Sequence, residues 1–173
     1  MTRRTKMLAG YNSWANGRIY EAAAQLPDSD YRADRGAFFK SLHGTLNHLL
    51  VADRIWMKRF TGSGDAPSAL DVIPYETLPD LWAARQREDR RICDFVESLD
   101  DATLSQRFRY TTITNPATVE QELGPALDHF FNHQTHHRGQ AHCILTMIGG
   151  NKSAPSLDLV LFQRETGLCD ILL

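Results

Sequence analysis

The strongest constraint in this sequence is a helical period that recurs in four long stretches. Met7, Tyr11, Trp14, Arg18, Ala22 and Leu26 advance by fours and threes, describing one face of a helix that stops before Pro27. A second stretch runs from about Phe38 to Phe60 and ends at Gly62-Ser63-Gly64. Its Leu42, Leu46, Leu49, Leu50, Trp56 and Met57 cover much of the circumference, which predicts a helix buried on more than one side. Residues 61–76 read as loop from their Gly, Pro, Ser and Asp content. A third helix follows Thr77 as N-cap, with Asp80 falling just short of a full capping box. Its stripe is Leu78, Leu81, Arg85, Ile92, Phe95 and Leu99, closing at Asp100-Asp101. The fourth opens at Gly124-Pro125, where the first turn tolerates proline, and runs to Ile148 before Gly149-Gly150. A short amphipathic piece lies around Leu157 to Arg164.

One segment breaks the pattern. Residues 107–113 are β-branched and aromatic with rough alternation, Asn115-Pro116 is a turn signal, and Thr118 to Leu123 supplies a second short run. The expectation is an all-α four-helix bundle with a small β-hairpin-like excursion before the last long helix. At 173 residues and 42% hydrophobic content, the span 1–173 suits one domain whose core needs neither disulfide nor metal to hold it. Three scattered cysteines, Cys93, Cys143 and Cys169, make no framework and suggest a reducing, cytoplasmic setting. Polar Tyr11, Asn12, Ser13 and Asn16 interrupt any signal-peptide core, and no apolar run is long enough to span a bilayer. A formal charge of −2 offers no broad footprint for nucleic acid or an anionic membrane.

Histidine is the unusual residue. Of seven, five (His129, His133, His136, His137 and His142) crowd into the fourth helix. At about 100° per residue, His133 and His137 fall within the apolar stripe one turn apart, His129 and His136 lie on its flank, and His142 faces away. Imidazoles at i and i+4 are neighbours on a helix surface and can share one metal ion, the spacing that H-E-x-x-H uses for zinc. The plain alternative is a pair of core histidines, each satisfied by its own hydrogen bond. A third ligand must come from another helix, where only His43 and His48 are available. His43 lies about 140° from His48 and cannot share its site. The wheel admits His48, among small neighbours Gly44, Val51 and Ala52 that leave room for an ion and a substrate, without requiring it. A bundle-rim histidine is the competing reading.

The stretch Asn132-His-Gln-Thr-His-His-Arg-Gly-Gln140 closely resembles the signature of the DinB/YfiT-like superfamily. The resemblance extends along nearly the whole chain, through Tyr11-Asn-Ser-Trp-Ala-Asn16, Phe39-Lys-Ser-Leu-His-Gly-Thr-Leu-Asn-His48, Asp53-Arg-Ile-Trp56 and Thr77-Leu-Pro-Asp-Leu-Trp82. It implies an up-down-down-up bundle, often a homodimer, with one divalent metal ion held by three histidines. Carried over position by position, the ligands are His48, His133 and His137. It also implies relatives that use low-molecular-weight thiols in S-transfer or isomerisation.

Three neutral imidazoles would leave the ion its full charge and an open position, the mark of a catalytic rather than a closed structural site. Such a site suits a metal-dependent enzyme acting on a small molecule, through metal-bound hydroxide as a hydrolase or metal-bound thiolate as a thiol S-transferase. Zinc or nickel are the favoured ions, with iron a further candidate. Each ligand ring should donate its other N–H to an outer partner, for which Thr45, Gln134, Arg85 and Glu88 are candidates. For Arg85 and Glu88 an i, i+3 salt bridge at the bundle rim is the favoured alternative. His136 and Arg138 point off the ligand stripe, toward capping, inter-helix hydrogen bonds or a dimer contact. A second overall reading is a non-enzymatic dimeric bundle with a structural metal, motivated by the apolar crowding of the second helix.

Overall fold

The computed structural model describes residues 2–169, so the first and last few positions of the 1–173 span lie outside the described residues. Four long helices form the bundle: α1 (Thr2–Ala23), α3 (Leu42–Thr61), α4 (Leu78–Glu97) and α6 (Leu123–Gly149). Between them come α2 (Asp28–Arg32), α5 (Asp101–Leu104) and a hairpin of β1 (Arg107–Thr111) and β2 (Thr118–Glu122), and α7 (Leu159–Glu165) follows. The expected helices and hairpin are present. Two elements, α2 and α5, were not foreseen, because helices of five and four residues are too short to leave a period in the sequence.

Helix ends follow local chemistry. The sequence placed the second long helix from Phe38, but α3 starts at Leu42. Ser41 takes the N-cap, its hydroxyl accepting from the Gly44 N–H at 3.0 Å, and Lys40 just before it sits at φ 65°, outside the helical range. Gly62 closes α3 in the left-handed region at φ 70°. Thr77 caps α4, accepting from the Asp80 N–H. The two strands pair antiparallel with Arg107 opposite Glu122 and Thr111 opposite Thr118.

Helix directions can be read from side-chain partners. Lys6 pairs with Glu97 and Asn16 with Asp89, so α1 and α4 are antiparallel. Arg4 meets Asp128 and Asn16 meets Arg138, so α1 and α6 run together. Asp53–Arg85 and Thr61–Arg91 make α3 and α4 parallel, while Trp56–His129 and His48–His133 make α3 and α6 antiparallel. The order is up-down-down-up.

The core has two apolar halves. One gathers Ile19, Tyr20, Leu46, Leu49 and Ile144; the other gathers Met57, Ile92, Val96, Leu127 and Phe130. The apolar surplus of α3 is consumed within the chain, since Leu42, Leu46, Leu49, Leu50, Trp56 and Met57 are all buried. Each such side chain contributes about 1.5–3 kcal/mol. Between the halves lies a polar layer drawn from all four helices. Arg85 sits 2.7 Å from Asp53 and 3.0 Å from Asp89. Asp89 accepts from Asn16, whose amide oxygen accepts in turn from Arg138. Arg138 also donates to Asn12, and Gln134 to Asp53. No helix is long and apolar enough to cross a membrane among the described residues.

Candidate metal centre

His48 on α3 and His133 and His137 on α6 come together at the α3–α6 contact, with one ring nitrogen from each lying within 4.8 Å of the others. Their ring centroids are 4.4 to 5.4 Å apart (4.4 Å for His133–His137, 4.5 Å for His48–His137, 5.4 Å for His48–His133). The antiparallel crossing of α3 and α6 brings His48 to the one-turn pair on α6. A bundle-rim position for His48 is excluded by its 3% exposure.

Two of the rings are fixed by hydrogen bonds on the side away from the group. The Nδ1–H of His48 donates to the Leu70 carbonyl at 2.8 Å, which leaves Nε2 as the bare acceptor. That Nε2 is buried and has no hydrogen-bond partner. The Nδ1–H of His137 donates to Gln140 Oε1 at 2.8 Å, and the Gln140 amide donates to His136 Nε2 at 3.2 Å. His136 in turn stacks on His137 with planes only 3° apart. Phe39 covers the other side, stacked on His48 at 3.8 Å and edge-on to His137 at 5.6 Å. Phe39 is held there by a close approach that needs glycine: a Cβ at Gly44 would stand 2.2 Å from the Phe39 carbonyl oxygen. The space beside Gly44, which the sequence suggested for an ion and a substrate, is therefore filled by this backbone.

Burial is the main force on the three rings' protonation. It lowers His48 to about 4 and His133 to about 3, with neighbouring histidines adding a smaller push, and it lowers His137 as well. All three are neutral near pH 7, the state a metal requires. Three neutral imidazoles, of which His48 and His137 are set by outer hydrogen bonds and His48 also presents a buried Nε2 without a partner, are compatible with a divalent metal site.

The outer partners are not those expected. Thr45 donates to the Ser41 carbonyl at 2.8 Å, and Gln134 to Leu49 and Asp53, so neither reaches a site histidine. Arg85 belongs to the buried polar layer at 1% exposure, and Glu88 pairs with Arg91 at 2.8 Å. The expected Arg85–Glu88 rim bridge is absent, because Arg85 turns inward to two buried aspartates. Gln140 was legible, since it lies three residues after His137 inside the signature. The Leu70 carbonyl was not. It arrives on a loop tied to α3 by Asn47, whose side chain bonds both the N–H and the carbonyl of Tyr75.

Of the remaining histidines, His136 and His129 touch the group by ring contacts with His137 and His133 but are not part of it. His43 donates to the Tyr75 carbonyl at 3.0 Å, His129 packs against Trp56, and His142 lies outside the group. Arg138 makes inter-helix hydrogen bonds to α1, one of the roles its wheel position suggested.

Two comparisons with known proteins bear on this arrangement. The sequence profile of the DinB family matches residues 1–166. This chain belongs to the DinB family. Protein DinB from Bacillus subtilis (strain 168) is 26% identical over 172 residues, covering 90% of this chain and 92% of the relative. The match takes in every helix of the bundle and all three site histidines of this DinB-family chain.

Proposed function

We propose that this chain is a divalent-metal-dependent enzyme acting on a small molecule, by hydrolysis or by thiol transfer. The observation that carries the reading is the orphaned, buried Nε2 of His48 facing two further neutral imidazoles. His48, His133 and His137 would hold the ion, with zinc or nickel favoured and iron a further candidate. A divalent ion with an open position supplies Lewis acidity, lowering the pKa of water or a thiol near neutral pH. The chain's own contribution is to keep three rings neutral and aimed. Leu70 and Gln140 fix two of them, and Phe39 shields the group from water on one side. A cleft that reaches His133 gives a small molecule access.

The test is metal content of tag-free protein after equilibration with zinc or nickel, followed by titration with azide. One ion per chain with an azide-sensitive spectrum (cobalt or nickel form) supports an open site. A saturated ion that ignores azide would instead favour the structural-metal reading. The homodimer implied by the family resemblance is part of the same proposal and is read by sedimentation.

Two further outcomes follow from the outer geometry. Gln140→Leu removes the partner of His137 and frees the ring to rotate, so metal affinity falls about 10–100-fold while the fold persists. Competition with a chromophoric chelator measures this, and unchanged affinity would remove Gln140 from the site. The second outcome concerns pH. A ring whose pKa is lowered stays neutral, lone pair free, from its lowered value up through the ordinary 6.5. Protons then compete with the ion only in acid. His137 is lowered as well. Affinity should therefore persist to lower pH than for ordinary histidines, which lose the ion from about 6.5 downward, and be lost by about pH 4, where His48 takes up its proton.

A further inference from the structure

Beside the three histidines lies a cleft of about 430 Å³ whose lining includes His133 itself. One wall is the outer face of α3, with Ala52, Ile55 and Trp56; the facing wall is the hairpin turn, residues 112–115 and 117. The volume is that of a small-molecule site. Its walls are mostly apolar, and its lining contains no carboxylate.

Arg59 is the only Lys, Arg, Asp or Glu in that lining. Its guanidinium lies between two rings, 4.6 Å from the Trp56 centroid and 4.5 Å from that of Tyr110, and one Nη donates to the Thr111 carbonyl at 3.1 Å. These contacts hold the fork in place but leave its charge uncompensated. Other arginines nearby have carboxylate partners: Arg107 and Arg109 share Glu120, and Arg91 pairs with Glu88. No carboxylate among the described residues pairs with Arg59. A half-buried, pre-positioned guanidinium without a counter-ion, facing an apolar cleft, is a receptor for an oxyanion.

We propose that this cleft takes a small organic anion with an apolar body, its carboxylate or similar oxyanion received by Arg59 and its reacting end turned toward His133. The second half rests on the metal-centre reading above; the first does not. Arg59 is a binding residue that selects the substrate's charge, and Trp56 and Ile55 select its apolar body.

Isothermal titration of phenylacetate and of its neutral counterpart phenylacetamide into tag-free protein, both metal-loaded and metal-stripped, tests this. Phenylacetate is expected to bind at least about tenfold more tightly than phenylacetamide in both forms. Arg59→Met should erase the preference without changing metal content, and Arg59→Lys, which keeps the charge, should retain part of it. Equal affinities in the wild type, a preference that survives Arg59→Met, or a preference seen only with metal would each overturn the proposal. So would absence of phenylacetate binding at about 10 mM. A chain that takes up no metal yet shows the Arg59-dependent preference would defeat the metal-centre reading and support the anion site.

Discussion

Tag-free protein carrying His133→Ala and His137→Ala together is expected to hold no stoichiometric divalent metal, whereas the wild type holds about one ion per chain. The two rings supply two of the three nitrogens that converge within 4.8 Å, and a single remaining imidazole cannot retain an ion against buffer. Each single replacement, including His48→Ala from the other helix, should weaken binding by more than the roughly 10–100-fold typical of an outer partner. Elemental analysis after dialysis, with far-UV circular dichroism to show that the helices persist, reads the result. Equal metal in the wild type and the double variant would end the metal-centre reading. His142→Ala, on the same helix but outside the group, is the control and should leave metal content untouched.

The largest effect on stability is expected from Arg85→Met. Arg85 is 1% exposed and balances two buried carboxylates, Asp53 and Asp89. Burial already pushes both carboxyls upward, and Arg85 is the strongest influence holding them down. Removing the guanidinium strands them in the core, at a cost of about 3–5 kcal/mol. For a chain of this length that corresponds to a melting temperature lower by roughly 6–20 °C. The second replacement in Arg85→Met, Asp53→Leu should recover part of the loss, since the pair is then replaced by apolar groups of similar volume. Thermal melts of the wild type, single and double variants measure the coupling. A loss below about 1 kcal/mol for Arg85→Met, the size of an exposed pair, would mean that the layer is not the dry network described.

Arg85 also marks a limit of sequence reading. On a helical wheel it falls on the core stripe, and a rim salt bridge with Glu88 is the ordinary way to satisfy a charge there. The buried alternative requires two further carboxylates inside the core. One of them, Asp89, is a turn away on the same helix, but Asp53 comes from α3, and only the parallel packing of α3 on α4 delivers it. Thr45 and Gln134 failed as outer partners for a related reason. Both lie on the site's two helices, yet Thr45 is spent on the backbone carbonyl of Ser41 and Gln134 on Asp53.

The sequence alone determined the four long helices, their approximate ends and the hairpin, because periodicity, caps and turn residues act over a few residues at a time. It also determined that His133 and His137 stand together, since i, i+4 neighbours are fixed by the helix itself. The family resemblance named His48 as their third partner; tertiary structure alone decided that it meets them with a bare Nε2, that a loop carbonyl orients it, and that Phe39 covers it. It decided equally that Arg59 lines the cleft with no carboxylate partner among the described residues. These are properties of groups distant in the chain, set by how helices cross and loops return, and no local pattern of residues encodes a distance between them.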